Sequence, residues 1–160
     1  MTKTPLRLGI VGLGTVGSGV IKMLSKNATL LSARAGRQII VSAVSARSRS
    51  KERGIDLSGI DWEDSPVALA KRDDVDVLVE LMGGSEGPAK EATLAAISTG
   101  KDVITANKAL LAIHGQSLAL AAEKAGQVIR FEAAVAGGIP VVKALTEGLA
   151  GNKINRILGV

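Results

Sequence analysis

Apolar residues follow two alternating rhythms along the chain. Short dense runs at about 6–11, 38–44, 75–81, 102–105, 128–133 and 154–160 predict strands buried on both faces. Between them, apolar positions recur at helical spacing at about 15–26, 65–71, 87–98, 108–125 and 139–150, and Gly36, Gly100 and Gly126 punctuate the joints. Strands alternating with helices predict an α/β fold, a doubly wound and mostly parallel sheet with helices on both faces. In such a sheet ligands gather at the carboxyl ends of the strands, where the strand order reverses.

Residues 27–36 form a polar, small-residue excursion that lengthens the first crossover. Asp61 to Asp76 is acidic and reads as a solvated connector and helix. No internal repeat or low-complexity tract interrupts the pattern, so residues 1–160 read as one domain.

The first predicted strand, Leu6 to Val11, runs into Gly12-Leu13-Gly14-Thr15-Val16-Gly17 and then into an amphipathic helical run. A strand, a GxGxxG turn and a helix in that order predict a Rossmann-type dinucleotide site. Gly12 makes the turn, Gly14 admits a diphosphate close to the backbone, and Gly17 lets the helix pack on the sheet. The amides of Thr15 and Val16 at the helix N-terminus then form an anion site. The other reading is a glycine turn without a ligand, since 19 glycines in 160 residues produce some such spacings by chance.

Composition narrows the class. Hydrophobic residues make up 46% of the chain, enough for a real core, and no apolar run reaches transmembrane length. Met1 to Pro5 is too short and polar for a signal peptide, and the absence of cysteine removes disulfides and thiolate sites. A cytoplasmic, membrane-free protein is the expectation. One Trp, one Phe and no Tyr leave little for base stacking, so the net charge of +5 points to a phosphorylated small molecule and not to nucleic acid.

The second strand ends Val44-Ser45-Ala46-Arg47, without the carboxylate that bonds the adenine ribose in NAD sites. Arg47, Arg49, Lys51 and Arg53 follow against Glu52 alone. A guanidinium fork with a serine hydroxyl suits the 2′-phosphate of NADP, and Arg47 is the strongest candidate; a flexible basic loop is the other reading.

Three further features fall at predicted strand ends. Gly83-Gly84-Ser85 would let the nicotinamide ribose approach, or is a tight turn. Lys108 opens a helix just past Asn107, where an ammonium reaches a nicotinamide and a substrate oxygen; a surface lysine is the alternative. Glu132 to Pro140, EAAVAGGIP, reads from its residues as a turn before a helix with Pro140 at the start. His114 is the only histidine; a helix break or C-cap beside Gly115 suits it better than proton transfer.

The runs LGIVGLGTVGSGV, VELMGG, VITANKALLA and FEAAVAGGIPVVKAL, in that order and spanning nearly all the chain, resemble the N-terminal nucleotide-binding part of the homoserine dehydrogenase family. The resemblance implies nicotinamide-dependent interconversion of L-homoserine and L-aspartate 4-semialdehyde, in the biosynthesis of threonine, methionine and isoleucine. It implies NADP(H) as cofactor, with NAD(H) as the alternative, a small-molecule substrate, and a homo-oligomeric full-length enzyme. By the same resemblance Leu13, Thr15 and Val16 bind the pyrophosphate, Arg47 reads the phosphate, and Lys108 contacts cofactor and substrate. It further implies a sodium site made by Glu132 with the carbonyls of Val135, Gly137 and Ile139, a use of glycine-rich backbone that hard cations favour.

A substrate and dimerisation domain is expected after residue 160, so these residues by themselves should bind cofactor and turn over homoserine poorly or not at all. Another amino-acid dehydrogenase of this fold, or a non-catalytic module that senses NADP(H), are the competing readings.

Overall fold

The computed structural model describes residues 3–159. Its sheet has six strands, β1 (Leu6–Val11), β2 (Ile39–Ser45), β3 (Asp61–Trp62), β4 (Val77–Glu80), β5 (Asp102–Thr105) and β6 (Ile129–Arg130), in the order β3-β2-β1-β4-β5-β6. Every pairing is parallel. The order reverses between β1 and β4, which opens a crevice at their carboxyl ends.

Period-two alternation within the strands divides the core between the faces. Leu8 and Ile10 of β1, Val44 of β2 and Val77 and Val79 of β4 pack with Leu13 and Ile21 under α1 (Thr15–Lys26). Val11, Ala43, Leu78 and Val103 face the other way, against α3 (Pro66–Lys71), α4 (Pro88–Ser98) and α5 (Lys108–Ala125). The helix contribution there is rich in alanine, with Ala92, Ala95, Ala96 and Ala122 buried, so these helices lie close to the sheet. Gly9 in β1 serves the same approach: a methyl there would meet Leu69 Cδ2 at 2.5 Å.

Several elements depart from the sequence pattern. The excursion at 27–36 contains a helix, α2 (Ala28–Ala35), closed by Gly36 at φ 67°. No residue of α2 is buried, and its eight residues are too short a run for a periodicity argument to single out. The acidic connector contributes the edge strand β3, which is only Asp61 and Trp62 pairing with Ala43 and Val44.

The strand predicted at 128–133 shrinks to Ile129–Arg130, because Glu132 starts a short helix, α6 (Glu132–Val135). The helix predicted at 139–150 is broken into α7 (Val141–Lys143) and a π-helical turn, Ala144–Gly148, closed by Leu149 N donating to Ala144 O at 2.9 Å. Neither piece buries a residue, so no packing face enforces a regular helix there. Residues 154–159 of the strand predicted at 154–160 lie outside the sheet, and Val160 lies outside the described residues.

Candidate cofactor-binding site

The glycine turn sits at the carboxyl end of β1, facing the point where the strand order reverses. Gly12 adopts φ 96°, a conformation open to glycine, and its amide donates to Ser45 O of β2 at 2.8 Å. A side chain at this position would press on the backbone of Leu81, 2.6 Å away. At Gly17 a methyl would run into the carbonyl oxygen of Gly12, so this glycine sets the distance between α1 and the turn. Gly14 is different: apart from its two chain neighbours, nothing lies within 4 Å of the place a methyl would occupy. The space above Gly14 is open, and Thr15 and Val16 beside it are exposed.

The start of α1 has no side-chain cap and no acidic residue in its first turn. By contrast Ser65 caps α3 through Ala68 N, and Asn107 caps α5 through Leu110 N. First-turn amides left without a side-chain acceptor, at the positive end of the helix dipole, are complementary to an anion. Leu13 is 4% exposed and anchors the turn in the core beneath them.

At the carboxyl end of β2, Ser45 is buried and its hydroxyl has no hydrogen-bond partner among the described residues. Arg47 follows and is exposed. Arg53 is an anchor within this loop. Its Nε donates to Leu13 O at 3.0 Å, its two terminal nitrogens donate to Lys51 O at 2.6 Å and Ser48 O at 2.5 Å, and its guanidinium lies 5.6 Å from the Trp62 ring centroid. Arg49 lies 6.0 Å from the same ring. The basic stretch is therefore a loop folded around Arg53 and fastened to the glycine turn, and not a free tether.

Across the crevice, β4 ends at Glu80 and leads into Gly83 and Gly84. Both glycines are exposed, Ser85 is half-buried, and Gly84 takes φ 89°. Glu80 is fully buried; Met82 N donates to its Oε1 at 2.7 Å and Thr105 Oγ1 to its Oε2 at 2.6 Å. Burial pushes its carboxyl above the usual range, against these bonds, which favour the charged form.

Thr105 Oγ1 in turn accepts from Asn107 N at 2.9 Å, and Asn107 Nδ2 donates to Gly84 O at 2.7 Å. Lys108 is exposed at the first position of α5, directly after this capping asparagine. The sequence reading missed Glu80, Thr105 and the role of Arg53. The available signal for Glu80 was a carboxylate inside the apolar run Val77 to Met82.

His114 lies in the middle of an unbroken α5, so it neither breaks nor caps the helix as its neighbour Gly115 suggested. Its Nε2 meets Glu86 Oε1, and Lys90 Nζ meets the other oxygen of Glu86 at 3.2 Å. The histidine thus holds the loop after Gly84 against α5, and first this bond, then that of Lys90, keeps the Glu86 carboxyl below its ordinary range.

Glu132 accepts from Val142 N and Lys143 N, both at 3.0 Å, one on each oxygen, and so caps α7. Ile139 O accepts from Val141 N at 2.8 Å. Among the described residues no three His, Cys, Asp or Glu side chains converge, so a cation near Glu132 would rely on main-chain oxygens. Oxygen donors suit a hard monovalent ion, and each carboxylate oxygen keeps a lone pair beyond the one given to an amide.

This strand order, with a glycine turn feeding α1 and an open crevice at the reversal, defines a dinucleotide-binding domain of the Rossmann class. The family model for the homoserine dehydrogenase NAD-binding domain matches residues 12–132, and the chain belongs to that family. Its cofactor is accordingly a nicotinamide dinucleotide.

The chain is 51% identical over 156 residues to homoserine dehydrogenase of Neisseria gonorrhoeae and 45% identical over 156 residues to that of Pseudomonas aeruginosa, covering 98% of itself and 35% of each relative. A homoserine dehydrogenase structure from Thiobacillus denitrificans superposes with a TM-score of 0.86 at 43% identity, over 93% of this chain and 34% of that one. The chain thus spans about a third of the length of these relatives.

Proposed function

We propose that this chain is the NADP(H)-binding part of an oxidoreductase that interconverts L-homoserine and L-aspartate 4-semialdehyde. The observation that carries the cofactor half is the uncapped start of α1 under the open space at Gly14, beside a β2 end followed by an exposed Arg47 and no carboxylate. The substrate half rests on the relatives, whose printed name is homoserine dehydrogenase.

The residues divide the work by position. Amides of Gly14, Thr15 and Val16 receive the diphosphate. Arg47, on the loop that Arg53 fastens, pairs with the 2′-phosphate, which distinguishes NADP from NAD. Gly83, Gly84 and Ser85 line the approach at the nicotinamide end. When bound, the nicotinamide cofactor supplies the hydride chemistry. Lys108 at the head of α5 places a positive charge where it stabilises negative charge developing on a substrate oxygen. Glu132 with the carbonyls of Val135, Gly137 and Ile139 would hold a sodium ion, and Glu132 in either case fixes the start of α7.

The small-molecule substrate, the further domain that completes its site, a homo-oligomeric full-length enzyme and a cytoplasmic setting belong to the same proposal. Among the described residues no helix is long and apolar enough to cross a membrane.

Nuclear magnetic resonance titration of the chain with NADPH tests the site. The amides of Gly14, Thr15, Val16 and Gly84 should shift, with those of α2 unmoved. Shifts confined to other surfaces would refute the assignment. In a coupled assay the same sample should show little or no homoserine oxidation, and a full rate from residues 1–160 would refute the division of labour.

A further inference from the structure

We propose that Glu80 is a positioning residue: through Thr105 and Asn107 its carboxylate holds the Gly83–Gly84 loop and the first turn of α5, with Lys108, in a single arrangement. The inference rests on the cofactor reading only in calling this the nicotinamide end of the crevice. Leu78 and Val79 before it show that an apolar side chain is the ordinary occupant of a β4 position buried from both sides. A carboxylate taken out of water there is costly unless it is satisfied by hydrogen bonds.

Both of its bonds go to groups at the strand ends, the Met82 amide beyond β4 and the Thr105 hydroxyl at the last position of β5. An ionised carboxylate only accepts, so the single Thr105 proton is committed to Glu80 and the Thr105 oxygen is turned to accept Asn107 N.

Asn107 spends both ends of its side chain on the same junction. Its Oδ1 accepts from Leu110 N at 3.1 Å and its Nδ2 donates to Gly84 O at 2.7 Å. Glu80, Thr105 and Asn107 are at most 5% exposed, so water does not compete for these bonds. The path is a closed ring from the end of β4, across to the end of β5, and back to the loop that leaves β4. Lys108 is the first residue outside that ring. Thr105 is the cross-strand partner of Glu80, so one bond stays within the ladder and orients the hydroxyl that receives Asn107 N, while the other leaves the ladder for the Met82 amide.

Hydrogen exchange and ligand binding together test this on the chain with Glu80→Gln, Thr105→Val and Thr105→Ser. Glu80→Gln and Thr105→Val should speed exchange at the Asn107 and Leu110 amides by about tenfold, the scale of one lost buried hydrogen bond, while Val11 in β1 and Ile21 inside α1 keep their protection. Thr105→Ser, which keeps the hydroxyl, should behave as the unaltered chain. The first two variants should also bind NADPH about tenfold more weakly, yet bind 2′-phospho-ADP-ribose, which lacks the nicotinamide, as before.

Unchanged exchange at Asn107 and Leu110 overturns the proposal, and so does loss of protection that extends to Val11 and Ile21. Equal effects on the two ligands overturn it as well. If the unaltered chain binds neither ligand, the cofactor reading fails, and the exchange comparison decides the role of Glu80 without it.

Discussion

Gly14 and Gly17 share a turn but answer to different physics. Gly17→Ala drives a methyl into the Gly12 carbonyl, a backbone atom that cannot step aside, and should cost about 1–3 kcal/mol of stability, as overpacking does. Gly14→Ala meets no atom and has φ −79°, which alanine adopts freely, so stability should change by about 1 kcal/mol or less while diphosphate affinity drops. Chemical denaturation of both variants beside NADPH titration checks the contrast. Equal loss of stability in the two would contradict it.

The same scale shows why some site residues were legible and others not. Gly12, Gly14 and Gly17 stand out because spacing alone ties them to a strand and a helix. Glu80, Thr105 and Asn107 meet only once β4 and β5 lie side by side, and no local spacing encodes that meeting. Arg53 and Arg47 look alike in sequence; only the contact of Arg53 with Leu13 O, 40 positions away, separates anchor from candidate ligand.

Among the elements, those that bury a face are the ones the hydrophobic pattern found. β1, α1, β5 and α5 fall where periodicity put them, since Ile10, Ile21, Val103 and Leu118 are core residues at the expected phase. α2 and β3 escaped because one buries nothing and the other is two residues long. The pattern at 139–150 has helical spacing in sequence, but none of its residues is fully buried, Val141, Val142 and Leu145 reaching half-burial at most, and the regular helix gives way to a π turn.

Two expectations follow for these elements. Leu118→Ala in α5, at a site 1% exposed in the core, should cost about 2–5 kcal/mol in denaturant unfolding. Arg53→Ala should cost about 1–2 kcal/mol and open residues 47–54 to limited proteolysis, because the loop loses its bonds to Leu13, Lys51 and Ser48 together. Uncut loops in Arg53→Ala under conditions that spare the parent chain would count against the clamp.

At the scale of the whole molecule, pH acts through groups with opposite signs. Asp76 is held below the ordinary aspartate range first by its hydrogen bond from Arg7, a bidentate pair that ties the start of β1 to the residue before β4, and Asp74 is held down by Arg72. Groups with lowered values give stability that is present above the unfolded pKa, about 3.9 for Asp, and is lost as pH falls through the folded value.

Glu80 runs the other way. Its raised value gives stability that is full below about 4.3 and is lost as pH climbs through the folded value. Asp76→Asn should therefore flatten the acid limb of a stability profile, and Glu80→Gln should flatten the decline above it. Thermal midpoints across pH read both slopes, and parallel profiles for parent and variants would refute the assignment.

The account as a whole turns on one binding event. Calorimetric titration of the purified chain with NADPH and with NADH, repeated on Arg47→Ala, measures it directly. A clear preference for NADPH that disappears in the variant, with the fold intact, is the predicted result. No heat with either cofactor, or a preference that survives the loss of Arg47, would contradict it.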